Sequence, residues 1–507
     1  MKLNYEIYKD KVAACWIGKN IGGTMGGPYE GVREVLDVKG FKTKPNEPLP
    51  NDDLDLQLIW LHAIESEGPR NITAETLGEY WLSFISACPN EYGITKSNMM
   101  RGVTPTISGG MQNNAEWKTS NGAWIRTEIW ATLCPGMPDL AVRYSIEDAK
   151  VDHGLGEGTY AAMFVAAMES AAFIINDVRA LIEIGLAKIP EDCRMAKSIR
   201  LLLDCYDGGK TWLEARNAIL ESNADIGDGW FQAPSNVAYA MLGILYGGGD
   251  FKKSMLTAIN CGDDTDCTAA TVGSILGIMH GSAGIPKDWS DHIGDSIITC
   301  CINLGVCWRR IRSCTQLTER VTKYAPYVLE ANNVGADQRK YRMEFTDGET
   351  EIDDDLIEKY KLPYGKSEES DEMRRSVATL QPNTFAAKGG AVSLVVSYDG
   401  EATIAPNEER KLRLSFLNNN KACGNQPYTV NVKIIAPDGF TVDNAEFDVF
   451  VPHWMSVTSD SCQSNPVEIT IKAGESISAV NKVFVQFQVT GRYAVTTVPV
   501  VYVNRLA

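Results

Sequence analysis

The sequence predicts a multidomain protein in which an all-helical region is followed by an antiparallel β-sandwich. The chain has 507 residues, which is more than one hydrophobic core normally organises. Apolar residues follow a helical pattern up to about Ala325 and alternate with a period of two from about Ala391. We therefore predict a helical domain over 1–335, a charged changeover segment over 336–380 that could contribute a strand, and a β-sandwich over 381–507.

Two apolar segments predict central helices in the first region. Residues 161–175 and 269–279 are Ala-rich and apolar on most sides, which is typical of helices buried all round. Gly273, Gly277 and Gly281 are spaced four residues apart and therefore share a helix face. Glycines in register favour close packing against another backbone over a merely weakened helix.

Alternating segments separated by turns predict the strands of the second region. The turns include Asp399-Gly400 and Pro437-Asp438-Gly439, and short strands with regular turns are typical of a sandwich. The region carries no metal or catalytic constellation, so we expect a structural role, such as a surface for oligomerisation. The alternating segments are 392–397, 411–416, 428–434 and 483–489.

Composition excludes several classes of partner. A net charge of −17 argues against binding to nucleic-acid backbones or anionic membranes. The 13 cysteines are scattered, and the adjacent pair Cys300-Cys301 fits neither a disulfide framework nor a zinc ribbon, so reduced thiols are expected. Because the sequence shows no signal peptide and no membrane-spanning stretch, we expect a cytoplasmic protein.

The first acidic cluster is Asn51-Asp52-Asp53, directly before three leucines that lie on one helical face. Asn and Asp at a helix start cap free N–H groups and interact with the positive end of the helix dipole. For this cluster alone, capping is the simpler interpretation.

The second cluster, Asp264-Thr265-Asp266, opens a helix that is almost wholly apolar or small. Carboxylates at the mouth of a buried helix are costly to bring together without a compensating positive charge. Neither Lys nor Arg occurs between Ser254 and Gly284, so a divalent metal is the expected counter-charge. Oxygen ligands favour Mg²⁺ or Mn²⁺ over zinc, and four carboxylates could hold two ions.

With these clusters in place, the first two-thirds of the chain resembles the ADP-ribosylglycohydrolase family. Each motif alone is weak, but six in the family's order are specific for its fold. They are the glycine-rich segment 18–30 ending in Pro28-Tyr29-Glu30, Asn51-Asp52-Asp53, the loop 121–126 (Asn-Gly-Ala-Trp-Ile-Arg), His153 before an Ala-rich helix, Asp264-Thr265-Asp266, and the closing segment 281–289.

The resemblance implies an all-helical domain that binds two ions, Mg²⁺ or Mn²⁺. In the implied mechanism these ions hold the ribose diol of an ADP-ribosyl group while water attacks the anomeric carbon. Glu30 would be an acid at the mouth of the site, and Asp53 would be both catalytic and a metal ligand. The implied metal ligands are Asn51, Asp52, Asp53, Asp264 and Asp266.

Four further residues are implied to bind substrate. Asn121 and Gly122 would lie on the ribose-phosphate side. His153 would contact substrate, although a helix-capping role is about equally expected. Trp230 would stack on a base, or it is an ordinary core aromatic.

The sequence departs from the family pattern at three positions. Asn51 and Cys267 stand where the family has Thr, and Gly23 stands where it usually has Asp. Because thiols prefer softer metals than Mg²⁺, one ion is expected to bind weakly, shift or be absent. Two alternative functions therefore stay open: a glycosidase for another furanoside or oligosaccharide, and a non-catalytic, crystallin-like binding protein that kept the fold.

Overall fold

The computed structural model describes the chain from residue 1 to residue 505 with ten interruptions. Described are residues 1–86, 90–110, 113–227, 231–303, 308–332, 343–366, 373, 376–377, 379–419, 426–453 and 462–505.

The first region is helical, as predicted. Its central helices include α7 and α13, which cover the two predicted apolar segments and are buried nearly all round. Within the described residues the α-helices are α1 (Tyr5–Gly26), α2 (Asp52–Glu67), α3 (Ala74–Phe84), α4 (Asn90–Met100), α5 (Glu128–Leu133), α6 (Pro138–Asp152), α7 (Glu157–Ala172), α8 (Val178–Ala187), α9 (Arg194–Asp207), α10 (Trp212–Ser222), α11 (Ala233–Gly247), α12 (Phe251–Asn260), α13 (Thr265–His280), α14 (Lys287–Ile293), α15 (Cys314–Asn332) and α16 (Leu356–Tyr360).

Helices α1 and α13 pack with their backbones in contact. A Cβ added at Gly18 would overlap the carbonyl of Gly273, and one at Gly277 would overlap the carbonyl of Ala14. The predicted close packing is therefore confirmed for Gly273 and Gly277. Gly281 instead ends α13 with a φ of 67°, beside the carboxylate of Asp10, a left-handed conformation that favours glycine.

The α1–α13 contact predicts the effect of adding one methyl group. In Gly22→Ala the new Cβ would overlap the backbone of Ala269, so the helices must separate, and we expect a loss of about 1–3 kcal/mol of unfolding free energy. Gly40→Ala is the matched control, because nothing lies within 4 Å of its Cβ position and its φ is not positive. Urea unfolding followed by circular dichroism measures both, and equal midpoints would contradict the close packing.

The C-terminal region consists of two five-stranded sheets, of order β3-β4-β6-β10-β8 and β5-β12-β11-β7-β9. The predicted antiparallel arrangement is confirmed with one correction: β5 pairs with β12 in parallel, so the second sheet is mixed. The strands are β3 (Thr384–Ala387), β4 (Val392–Tyr398), β5 (Thr403–Ile404), β6 (Glu409–Asn418), β7 (Tyr428–Ile435), β8 (Thr441–Val442), β9 (Glu446–Val451), β10 (Val467–Lys472), β11 (Val480–Val489) and β12 (Val495–Asn504).

The inner faces of the two sheets enclose one hydrophobic core, separate from the core of the helices. Phe416 of β6 and Phe487 of β11 meet there with ring centroids 5.1 Å apart. Val103 and Ile107, from the loop after α4, belong to this second core. The C-terminal region therefore packs against the segment that follows α4.

The first region is not purely helical, which corrects the prediction. Lys2–Asn4 forms strand β1, which pairs in parallel with β2 (Glu344–Thr346) of the changeover segment. Leu356 and Tyr360 of the same segment are buried in the helical core, and the Tyr360 hydroxyl donates to the carbonyl of Gly136. This part of the changeover segment is therefore packed against the helical core.

Among the described cysteines all are free thiols and most are buried, as predicted. Cys300 and Cys301 are the more accessible ones, with sulfurs 3.7 Å apart. Within the described ranges, no helix combines the length and apolar character needed to cross a membrane.

Candidate functional site

The start of α13 and the loop after α1 are held together by backbone contacts. Thr265 donates its hydroxyl to the carbonyl of Gly26 over 2.9 Å. Downstream, Val32 and Asp263 form a β-bridge, with the Asp263 N–H 2.7 Å from the Val32 carbonyl. These contacts carry Glu30 across the mouth of α13, where its carboxylate meets those of Asp264 and Asp266.

The first acidic cluster begins α2, as predicted. The Asn51 side-chain oxygen accepts the N–H of Asp53 over 2.7 Å, so Asn51 is the N-cap of α2. Asp53 is fully buried, whereas Asp52 is half-buried and accepts a hydrogen bond of 3.1 Å from the Tyr92 hydroxyl. The same segment therefore caps α2 and also supplies carboxylates to the acidic site, so the two interpretations of this segment are compatible.

The two acidic clusters meet at Asp266. Its carboxylate belongs to one group with Glu30 and Asp264 and to a second group with Asp53 and Cys267, and the ligand atoms of each group lie within 4.8 Å of one another. Asp53 Oδ2, Asp264 Oδ1 and Asp266 Oδ1 are buried, and no described residue donates a hydrogen bond to them. Burying a carboxylate oxygen without a hydrogen-bond donor is costly, and oxygens in this arrangement are suited to bind a divalent cation.

Mutual repulsion and burial shape the acidity of the cluster. Burial raises the pKa of Asp52, and the charge of Asp266 adds to the shift. Burial and Asp266 likewise raise the pKa of Asp264 well above its usual value. At Glu30 the charge of Asp266, then burial, raises the pKa to about 7. The cluster therefore holds protons near neutral pH unless a cation replaces them.

Lys19 supplies one positive charge beneath the cluster. Its ammonium is fully buried, 3.6 Å from Asp53 Oδ2 and 2.7 Å from Glu128 Oε1. Burial lowers the pKa of Lys19, but the two carboxylates outweigh it and keep the ammonium charged. Burial raises the pKa of Asp53 well above its usual value, with Lys19 opposing. Helix α1 therefore brings a lysine to Asp53, a counter-charge that the sequence argument, made for the Asp264–Asp266 cluster, did not include.

Asp264 is oriented by two buried amides. Asn121 donates from Nδ2 to Asp264 Oδ2 over 2.6 Å, while its own Oδ1 accepts the Trp124 indole N–H over 3.0 Å. The Asp264 N–H donates to Asn236 Oδ1, and Asn236 Nδ2 donates to Asp263. Asn121 thus uses both the nitrogen and the oxygen of its amide for contacts within the protein. These contacts favour a role in orienting Asp264, and the predicted position on the ribose-phosphate side stays a prediction.

His153 lies behind the site rather than in it. It is fully buried, with Nε2 3.0 Å from the Ser120 hydroxyl and Nδ1 3.0 Å from Asp152 Oδ1. Gly122 is also buried, and a Cβ there would overlap the carboxylate of Glu91 and crowd His153. The predicted substrate contact of His153 stays a prediction, and within the protein its ring lies between Ser120 and Asp152. Trp230 lies outside the described residues.

Gly23 and Asn51 are matched in size. A Cβ at Gly23 would overlap the Asn51 amide, whose Nδ2 is buried without a partner among the described residues. The two departures from the family pattern are therefore sterically coupled, because the Asn51 side chain occupies the space that a side chain at position 23 would need.

Sequence reasoning missed Lys19, Tyr92 and Asn236. Lys19 stands in the glycine-rich segment, where a lysine on a helix apolar all round was a usable signal. Tyr92 and Asn236 carried none, because an isolated Tyr or Asn is ordinary until its neighbours in space are known.

Residues 4–324 match the profile of the ADP-ribosylglycohydrolase family. An uncharacterized protein of Archaeoglobus fulgidus is 24% identical over 303 residues, which are 57% of this chain and 92% of that protein. The ADP-ribosylarginine hydrolase Tri1 of Serratia proteamaculans is 46% identical over 44 residues, 9% of this chain and 12% of that protein. A solved structure described as an ADP-ribosylglycohydrolase-related protein complex is 19% identical, with a TM-score of 0.43, and covers 64% of this chain and 98% of its own.

Proposed function

Because the chain belongs to the ADP-ribosylglycohydrolase family, we propose that this glycosidic hydrolase uses a two-metal carboxylate site to cleave an ADP-ribosyl group from its carrier. The observation that carries the proposal is the meeting of two acidic segments more than 200 residues apart, with bare buried oxygens on Asp53, Asp264 and Asp266. A purely structural site would pair those oxygens with protein donors.

The residues present fit divalent metal ions. Asp52, Asp53, Asp264 and Asp266 would hold the ions, and Asn51 could add its amide oxygen while capping α2. Bound metal would orient a ribose diol and lower the pKa of a bound water. Lys19 fixes Asp53 from below, and Asn121 fixes Asp264 from the side, so the ligands are preorganised before substrate arrives.

Glu30 is the proposed proton carrier. Its side chain is exposed at the mouth of the cluster, and a pKa of about 7 lets the carboxylate hold or release a proton at neutral pH. We expect Glu30→Gln to lower kcat about 10²-fold at saturating metal, separately from the weaker metal binding caused by the lost charge. Single-turnover rates with isothermal titration of Mn²⁺ separate the two effects, and unchanged kcat would remove Glu30 from the chemistry.

ADP-ribosylated arginine is the first substrate to test, because the Serratia proteamaculans relative is named for that substrate. The protein is stripped with a chelator, reloaded with Mg²⁺ or Mn²⁺, and incubated with ADP-ribosylarginine, with ADP-ribose release followed by chromatography. Metal-dependent release supports the proposal. If no ADP-ribosyl substrate is hydrolysed but nitrophenyl furanosides are, the result supports the furanosidase alternative instead.

Metal affinity should depend on pH. The metal-free carboxylates have raised pKa values, with Glu30 at about 7, so protons compete with the metal below that pH. As the pH falls below about 7, we expect Mn²⁺ affinity to fall about tenfold per pH unit for each proton that the metal displaces. Calorimetry in two buffers of different ionisation enthalpy measures the protons released. An affinity independent of pH would contradict this picture.

A further inference from the structure

Cys267 differs in its surroundings from the other buried cysteines. It lies in the first turn of α13, and its thiol points at Asp53, with Sγ 3.4 Å from Asp53 Oδ1. Burial, and then the charges of Asp264, Asp53, Asp266 and Asp52, raise the pKa of the Cys267 thiol well above its usual value. Cys261, six residues earlier, instead directs its sulfur at the backbone carbonyl of Thr257.

The sulfur and two bare oxygens converge on one place. The ligand atoms of Asp53, Asp266 and Cys267 lie within 4.8 Å of one another. Asp53 Oδ2 and Asp266 Oδ1 are buried and receive no hydrogen bond from the described residues. Beside the thiol, Asp266 Oδ1 is thus left without a donor among the described residues, and Asp53 Oδ2 has only the Lys19 ammonium at 3.6 Å.

The two ligand groups that share Asp266 differ in chemistry. Glu30, Asp264 and Asp266 offer only oxygen, the donor preferred by Mg²⁺ and other hard cations. The second group replaces one oxygen with sulfur, which selects borderline ions such as Zn²⁺ or Co²⁺ and disfavours Mg²⁺. Asp53, which belongs to this second group, also pairs with Lys19 over 3.6 Å.

We propose that Cys267 is a thiolate ligand and that the Asp53–Asp266–Cys267 position takes a borderline transition-metal ion, while the Glu30–Asp264–Asp266 position takes a hard cation. On binding, the Cys267 thiol loses its proton to solvent as the metal–sulfur bond forms. This inference rests on the proposed metal-dependent function and assigns different metals to its two positions.

A second thiol-containing cluster must be separated from this one. Asp55, Cys300 and Cys301 also lie within 4.8 Å of one another. There, however, Asp55 Oδ2 already accepts the backbone N–H groups of Cys300 and Cys301, over 2.7 and 2.5 Å. A thiophilic ion added to the protein could visit these accessible sulfurs, so the test includes their removal.

The test is a Co²⁺ titration of the reduced, metal-free full chain, read by absorption. Thiolate bound to Co²⁺ gives a near-ultraviolet charge-transfer band, which oxygen ligands do not give. We expect the band in the wild type, in Cys261→Ser and in the double variant Cys300→Ser/Cys301→Ser. We expect it to vanish in Cys267→Ser, with Co²⁺ affinity at least about tenfold weaker, while Cys267→Thr should bind Mg²⁺ more tightly than the wild type.

Several outcomes would overturn the inference. A band that persists in Cys267→Ser, or that vanishes in Cys300→Ser/Cys301→Ser, places the sulfur ligand elsewhere. Circular dichroism of each variant verifies folding, and Cys267→Thr gives a second route if the serine variant is unstable. If the wild type binds Co²⁺ without the band but still hydrolyses its substrate, the thiolate ligand is refuted and the proposed function is kept. The band without any turnover would support the thiolate and refute the function.

Discussion

Asp53→Asn is expected to abolish hydrolysis while leaving the protein folded. Asp53 is fully buried, and its carboxylate forms one group of possible ligands with Asp266 and Cys267. Losing its charge removes a central metal ligand, which should lower kcat/KM by about 10³-fold or more. Burial raises the pKa of Asp53 well above its usual value, and Lys19 keeps Glu128 as its nearer partner, so the neutral amide should leave the metal-free protein folded.

The measurement pairs kinetics with stability. ADP-ribose release and Mn²⁺ binding are followed in Asp53→Asn, together with urea unfolding of the metal-free protein. Asp291→Asn is the control, because its carboxylate is an exposed partner of Lys287. A variant that retains activity, or one that loses activity only by unfolding, would contradict a metal-ligand role for Asp53.

Arg126→Met should cause the largest loss of stability among single changes around the site. The guanidinium is fully buried and pairs with Asp148 over 2.9 Å and with Asp152 over 2.7 Å. Burial alone would raise the pKa of Asp152, but Arg126 and then His153 lower it to about 2. Without Arg126 two buried carboxylates stay uncompensated, and we expect the free energy of unfolding to fall by about 3–5 kcal/mol.

Arg126 also reaches the site. It donates to the carbonyl of Gly122, next to Asn121, which orients Asp264. The destabilised variant should therefore also bind metal more weakly. A variant that loses stability but keeps its metal affinity would show that this loop is held by other contacts.

Arg179→Met is the matched control for Arg126→Met. Its pair with Asp207 has both side chains well exposed, and such pairs contribute at most about 1 kcal/mol. Urea unfolding followed by tryptophan fluorescence compares the two variants. Adding Asp148→Asn and Asp152→Asn to Arg126→Met should recover part of the loss, and equal midpoints for the two arginine variants would refute the buried-charge argument.

The sequence by itself determined the order of the architecture, because periodicity is a local property of the chain. The switch from a helical to a two-residue pattern near Ala391 separated the helices from most of the strands, although β1, β2 and β3 precede it. Spacing also identified the close face of α13, where Gly273 and Gly277 meet α1. Asn51 and Asp264 were placed at helix starts because capping depends on neighbours along the chain.

Only the tertiary structure determined which positive charge lies near the acidic clusters and which side chains shift the pKa values of their carboxylates. Lys19 is far from Asp53 and Asp264 in sequence, yet it lies beneath Asp53 because the glycines of α1 let that helix approach α13 closely. The same packing turns Cys267 toward Asp53 and makes Asp266 common to two ligand groups. Periodicity could not reveal these pairings, because distances between remote segments depend on the packing of whole helices.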